Sequence, residues 1–296
     1  MGSQLIISQK KRKEFYGSEI KLLSPAKINL YLNIIGKYSK NYHCIESLAE
    51  RISLFDKIFL KVSAGSDLNI TCNYRYLESK ENLAYRAAAL MRKEFSLPFG
   101  FSINLEKNIP VGAGLGGGSS NAASVIIGIK ELFSLDVSRE RLYNVGKQLG
   151  SDVNFFLSGS SYAFLSGRGE KIEPLFISSR LKHFIIWPGI FLSTSDVYKN
   201  TKAKLTSFFS SVNMLKYSLI YSDYLLLKKS TYNCLEKSAF ALSEKLARAK
   251  KRLNREGIDT FMSGSGSAFY TIGIKDCQRV KKVVPKGWFV RRAQTF

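Results

Sequence analysis

Five glycines stand within seven residues in Pro110-Val111-Gly112-Ala113-Gly114-Leu115-Gly116-Gly117-Gly118, and Ser119-Ser120 follows them. Glycine costs backbone entropy, so a run this dense serves positions that need φ > 0 or a close approach of the main chain to something else. Asn121–Phe133 then reads as a helix, with Ser119 and Ser120 where an N-cap belongs. A glycine loop entering a helix offers unpaired N–H groups and the positive end of the helix dipole, which together attract phosphate. The common phosphate motifs do not fit. Gly112, Gly114 and Gly117 spell G-x-G-x-x-G, but Phe101–Lys107 alternates apolar and polar residues. That predicts a half-buried antiparallel strand, not the buried parallel strand of a dinucleotide fold. No Gly-Lys-Ser/Thr follows the loop, which excludes the P-loop, and the chain has no His-Arg-Asp or Asp-Phe-Gly, which excludes a protein kinase. A purely structural glycine turn is the other reading.

A second glycine loop, Ser263-Gly264-Ser265-Gly266-Ser267, comes far downstream. Paired with the first, it predicts two backbone surfaces closing around one ligand. The elements that must carry these loops are mixed. Leu83–Phe95 puts Leu83, Ala87, Leu90, Met91 and Phe95 on one helical face. Asn233–Glu256 does the same with Leu235, Leu242, Leu246 and Leu253, and Gly257 is its expected stop. Phe184–Ile186 and Ala268–Ile272 read as strands. Helices and alternating strands intermix without a βαβ rhythm, which predicts an α+β fold. A domain boundary is expected near Gly169–Pro174.

The 296 residues are enough for one large or two ordinary domains. No apolar run reaches the length of a membrane span; the stretch at Leu219–Leu227 is broken by Ser222 and Asp223. The opening residues carry no long apolar segment, and Cys44, Cys72, Cys234 and Cys277 match neither a zinc spacing nor a disulfide framework. A cytoplasmic protein is expected. With two histidines, a His-rich metal site is not. The net charge of +22 invites a nucleic-acid reading. However, the lysines and arginines are spread over both halves of the chain, and aromatics do not interleave with the clusters at Lys10–Lys13 and Lys250–Arg252. A solvated basic surface that helps attract a polyanionic small molecule is the preferred reading.

The set Pro25-Ala26-Lys27-Ile28-Asn29-Leu30, Pro110–Ser120 and Ser263–Ser267 resembles, in order and over nearly the whole chain, the three motifs of the GHMP kinases. That superfamily includes galacto-, homoserine, mevalonate and phosphomevalonate kinases. Within it, Ser24–Leu32, Tyr42-His43, Leu149-Gly150-Ser151-Asp152-Val153-Asn154-Phe155-Phe156, Pro188-Gly189, Ser193-Thr194 and Val197-Tyr198 are similar to the branch that phosphorylates a cytidine-diphosphate-linked methylerythritol. The resemblance implies a two-domain α+β fold with the active site between the domains. Residues 1–172 would form a ribosomal protein S5 domain 2-like ATP-binding domain, and 173–296 a ferredoxin-like substrate domain. It implies transfer of the ATP γ-phosphoryl group to the 2-hydroxyl of that substrate, in the non-mevalonate isoprenoid pathway, with Mg²⁺ accompanying ATP. A mevalonate-like alcohol is the alternative acceptor.

By the same resemblance Asp152 orients the hydroxyl and accepts its proton. Lys27 lies between apolar residues in a strand-like run, where an unpaired ammonium is costly. It is therefore expected to meet Asp152 or a phosphate, a solvated strand lysine being the alternative. Asn29 shares its strand face and would hold the substrate or Asp152. Tyr42 and Tyr198 would sandwich the cytosine, with His43 bonding its edge and Thr194 adding a polar contact. Asn82, Leu83 and Lys107 match positions near the nucleotide. The residues name no protein ligand for the metal and leave open monomer or homodimer. One departure stands out: the family usually has Asp-Gly before Tyr-His, and here the pair is Lys40-Asn41.

Overall fold

The computed structural model describes residues 14–39, 42–201, 209–274 and 276–296, with main chain only at 37–39, 42 and 209–211. Lys40 and Asn41, the Lys10–Lys13 cluster and the side chain of Tyr42 lie outside the described residues. The chain divides into two compact units. One draws on residues up to Pro25, Phe55–Ile109 and Gly117–Gly159, and the other on Ala26–Leu54, Pro110–Gly116 and Ser160–Phe296. Two long strands, β1 (Glu19–Ser39) and β2 (Tyr42–Ser63), contribute to both.

In the first unit these strands are joined by β3 (Leu68–Cys72) and β4 (Gly100–Glu106), in the order β3-β4-β2-β1. In β4, Phe101, Ile103 and Leu105 are buried while Ser102 and Asn104 are exposed, the alternation expected of a strand with one wet face. It is antiparallel to β2 (Ile58↔Leu105) but parallel to β3 (Ile70↔Ile103). The parallel neighbour was not expected. It arises because helix α1 (Leu83–Glu94) carries the chain back between β3 and β4. Asn82 caps α1 by accepting from Ala84 N at 2.9 Å, and the helix buries Ala84, Ala87, Ala88 and Met91, one 3.6-period stripe.

Helix α2 (Gly117–Leu132) starts four residues before the predicted Asn121, so Ser119 and Ser120 lie in its first turn and not at its cap. Glycine is a poor helix former, and side-chain bonds to the rest of the unit, described below, fix this turn against propensity. Helices α3 (Arg139–Leu149) and α4 (Val153–Leu157) complete the unit.

In the second unit one sheet runs β6-β5-β2-β1-β8, with β5 (Tyr162–Gly167), β6 (Lys171–Leu175) and β8 (Tyr232–Asn233). A second sheet has the order β11-β7-β10-β9, formed by β7 (Lys182–Trp187), β9 (Phe261–Met262), β10 (Phe269–Tyr270) and β11 (Phe289–Gln294). In chain order that is fourth, first, third, second, the ferredoxin-like plait. Around it lie α5 (Thr194–Lys199), α6 (Phe209–Ile220), α7 (Tyr224–Ser230), α8 (Glu236–Leu242), α9 (Glu244–Arg255) and α10 (Cys277–Val283). Leu32, Ile34, Phe184, Ile186, Leu253 and Phe269 belong to one buried cluster of this unit.

The single helix predicted over 233–256 is two. Ser243 (φ −144°) ends α8 and caps α9, accepting from Leu246 N at 3.3 Å. The break turns Leu242 outward, 43% exposed, while Leu235, Leu246 and Leu253 are buried as expected. Gly257 closes α9 at φ +69°, its N–H on Asn254 O and that of Ile258 on Leu253 O.

Candidate active site

The glycine loop is built by backbone packing. Gly112, Gly114 and Gly116 all have positive φ. At Gly114 (φ +76°) a Cβ would lie 2.2 Å from Ser263 O. Ser263 Oγ donates to Gly114 O at 3.0 Å, and Ala268 N to Ala113 O at 3.0 Å. The Ser263–Ser267 loop therefore lies directly against the first loop and holds its shape. This corrects the expectation of two surfaces facing across one ligand: both loops lack side-chain bulk so that their main chains can touch. Leu115 O accepts from Lys27 N at 2.9 Å, which ties the loop to β1.

Lys27 is 5% exposed and Asn29 4%. Lys27 Nζ donates to Asn29 Oδ1 at 2.6 Å, Asn29 Nδ2 to Ser47 Oγ at 2.8 Å, and Ser47 Oγ to Tyr31 O at 2.6 Å. The shared strand face of Lys27 and Asn29 is observed, and the solvated-lysine alternative is excluded by burial. Tyr270 Oη donates to Asn29 O at 2.8 Å, fixing the strand where these side chains depart.

The start of α2 is held by a network that sequence reasoning missed. Asp56 is fully buried in β2. Its Oδ1 accepts from Asn108 N (2.7 Å) and Ile109 N (2.8 Å); its Oδ2 accepts from Asn121 Nδ2 (3.0 Å) and from Lys107 Nζ. Lys107 Nζ also donates to Asn121 Oδ1 at 3.1 Å. Asn121 Nδ2 further meets Ser24 Oγ, which donates to Ser120 Oγ, both at 2.9 Å. A Cβ on Gly117 would sit 3.0 Å from Lys107 Nζ, so the ammonium lies directly behind the first residue of the helix. No acidic residue occupies the first turn of α2 to neutralise its dipole. Beside it, a Cβ on Gly118 would lie 3.5 Å from Leu83 Cδ1, immediately after the capping Asn82. A Cβ on Gly150 would lie 3.6 Å from Ser119 Oγ, which brings Ser119 close to the Gly150–Asp152 turn. Asp152 opens α4 in helical conformation (φ −83°, ψ −8°), and its carboxylate does not cap that helix.

In the second unit the His43 and Tyr198 rings lie 5.6 Å apart, tilted by 34°. Thr194 Oγ1 bonds Ser265 Oγ at 2.9 Å, so α5 starts against the second glycine loop. Phe191, 62% exposed, is a further aromatic that the sequence did not mark; a Cβ on Gly112 would lie 3.2 Å from its ring. Trp187 holds it edge-on at 5.2 Å. Among the described residues no group of three or more His, Cys, Asp or Glu is placed to hold a metal.

These features, a main-chain cradle, a helix dipole left unneutralised and a buried lysine tied to the loop, are what a polyphosphate donor requires. Residues 82–160 match the GHMP kinases N terminal domain, and residues 217–284 the GHMP kinases C terminal domain. A protein of Bacillus cytotoxicus named 4-diphosphocytidyl-2-C-methyl-D-erythritol kinase is 36% identical over 249 residues, 83% of this chain and 86% of that protein. The chain belongs to the GHMP kinase family. A Bacillus thuringiensis protein of the same name is 36% identical over 257 residues, 86% of this GHMP kinase and 87% of that relative. A crystal structure of 4-(cytidine 5'-diphospho)-2C-methyl-D-erythritol kinase superposes with a TM-score of 0.75 at 30% identity, covering 93% of this chain and 99% of that one. The chain is thus a small-molecule kinase of α+β fold with ATP as its phosphoryl donor. No helix among the described residues is long and apolar enough to cross a membrane.

Proposed function

We propose that this GHMP kinase phosphorylates the 2-hydroxyl of 4-diphosphocytidyl-2-C-methyl-D-erythritol, yielding the 2-phosphate and ADP, in the non-mevalonate isoprenoid pathway of the cytoplasm. The two relatives and the solved structure named for this reaction support the acceptor. The structural observation that carries the reading is Lys27, a buried cation on β1 whose own N–H fixes the glycine loop. Residues 1–172 serve as the ATP-binding domain and 173–296 as the substrate domain.

The loop Pro110–Gly116 and the first turn Gly117–Ser120 hold the phosphates, with Lys107 adding charge from behind Gly117. Asn82 and Leu83 shape the nucleotide side. Asp152 accepts a hydrogen bond from the 2-hydroxyl, aims its oxygen at the γ-phosphorus and takes the proton as the P–O bond forms. The transition state is loose, so aim matters more than basicity. Lys27, with Asn29 orienting its ammonium, offsets the charge that develops there. His43 and Tyr198, with Tyr42, bind the cytosine, and Thr194 adds a hydroxyl. Mg²⁺ enters with ATP; the described donors fit a cation held mainly by phosphate oxygens, which it would neutralise.

The test is ADP release from Mg-ATP with the cytidine compound and with mevalonate offered separately. Turnover with the first alone is expected. Asp152→Asn is expected to lower kcat by at least about 10²-fold with ATP affinity retained. Turnover with mevalonate alone would reassign the acceptor, and full activity in Asp152→Asn would remove Asp152 from the mechanism.

A further inference from the structure

A cavity of about 570 Å³ opens in the second unit beside β8, and it shares no residue with those assigned above to ATP or the cytidine substrate. Its size falls within the range of small-molecule sites. Ile34, Ala241, Phe261 and Met262 supply apolar wall, and Cys234 extends it. Burial pushes the Cys234 thiol up to about 11, so it stays protonated and acts as a small apolar group.

Two polar features break this lining. Asn33, 3% exposed on β1, points a Nδ2 donor that makes no hydrogen bond. Native proteins rarely bury a donor unmet, because the lost hydration is not replaced. The second feature is positive charge. Lys250 Nζ meets both oxygens of Glu236 at 2.6 Å, and its third N–H remains for another acceptor. Lys237 is exposed on the lining. An adjoining hollow of about 340 Å³ shares Lys250 and Phe261 and adds Lys228 and Lys229. Against these four cations stand Glu236 and Asp259, the latter 3.4 Å from Lys228.

We propose that this cavity is a second ligand site, for a small amphipathic phosphate with an apolar body. The body packs on Ile34, Phe261 and Met262. The phosphate takes the Asn33 N–H and the positive field of Lys250 and Lys237. A purely apolar ligand would leave Asn33 unmet, and inorganic phosphate would leave the apolar wall wet, so neither half of the ligand suffices alone.

Calorimetric titration of the full chain with pentyl phosphate tests this, with CDP and a non-hydrolysable ATP analogue present at saturation. One saturable site is expected, at least tenfold tighter than for inorganic phosphate or 1-pentanol. Asn33→Ala and Ala241→Trp should each weaken it at least tenfold. Ala241 is exposed on α8, so its variant fills the cavity mouth without entering the core, and its kinase turnover should be unchanged. No saturable binding, binding that both variants leave intact, or binding that appears only when CDP and the ATP analogue are withheld would overturn the proposal. None of these outcomes bears on the kinase assignment, which is read from turnover.

Discussion

Gly114 has no room for a methyl group. Its φ is +76° and the nearest atom is a backbone oxygen, which cannot swing aside as a side chain would. Gly114→Ala is therefore expected to push the two loops apart, lowering stability by about 1–3 kcal/mol and ATP affinity at least tenfold, read by urea unfolding and nucleotide titration. Such a position is legible in sequence, because only glycine serves it. Asp56 is the opposite case. A single aspartate in an alternating strand gives no sign that its partners stand at Lys107, Asn108, Ile109 and Asn121. Asp56→Ala would strand the Lys107 cation in a dry interior. A loss of about 3–5 kcal/mol is expected from denaturant titration, far beyond that of an exposed pair such as Lys57–Glu106.

Elements were readable where pattern alone decides them. The apolar stripe of α1, the alternation of β4 and the Gly257 stop all follow from periodicity and turn chemistry. The start of α2 did not, since Gly117 and Gly118 have the weakest helix propensity short of proline and are held by distant side chains. The split at Ser243 was hidden for a related reason: serine suits both a helix interior stretch and a cap, and only packing selects the cap. Asn82 joins the two kinds of information. It caps α1, and the next residue packs on Gly118 at the start of α2. Asn82→Ala is expected to cost about 1 kcal/mol in unfolding and also to raise the KM for ATP. A stability loss with KM unchanged would make Asn82 a cap and nothing more.

At the scale of the molecule, each unit is assembled from three separate stretches of sequence, so neither corresponds to one continuous piece of chain. The second unit is closed by its last residues. Thr295 Oγ1 donates to Glu50 Oε1 at 2.6 Å and accepts from Leu181 N at 2.7 Å, and Phe296 N donates to Arg51 O at 2.9 Å. His183, fully buried, donates Nδ1–H to Thr271 O at 2.7 Å and faces Glu50 Oε1 through Nε2 at 3.1 Å. Burial pulls the His183 pKa down, but the Glu50 charge and the hydrogen bonds outweigh it, leaving it raised above 6.5. A raised folded pKa means that the folded state binds the proton more tightly. The stabilisation is complete below pH 6.5 and fades as pH rises through the folded value. Wild-type Tm should thus fall with rising pH above 6.5 more steeply than that of His183→Gln; parallel profiles would show that this pair does not titrate in the folded protein.

That same closure places Glu50 and its Thr295 partner 245 residues apart. On a ribosome adding about 5–20 residues per second, the carboxylate emerges roughly 10–50 s before the hydroxyl that completes its shell. A growing chain therefore holds the second unit open at its edge until translation has ended, and a message truncated even a few codons short yields a protein that has never been able to close.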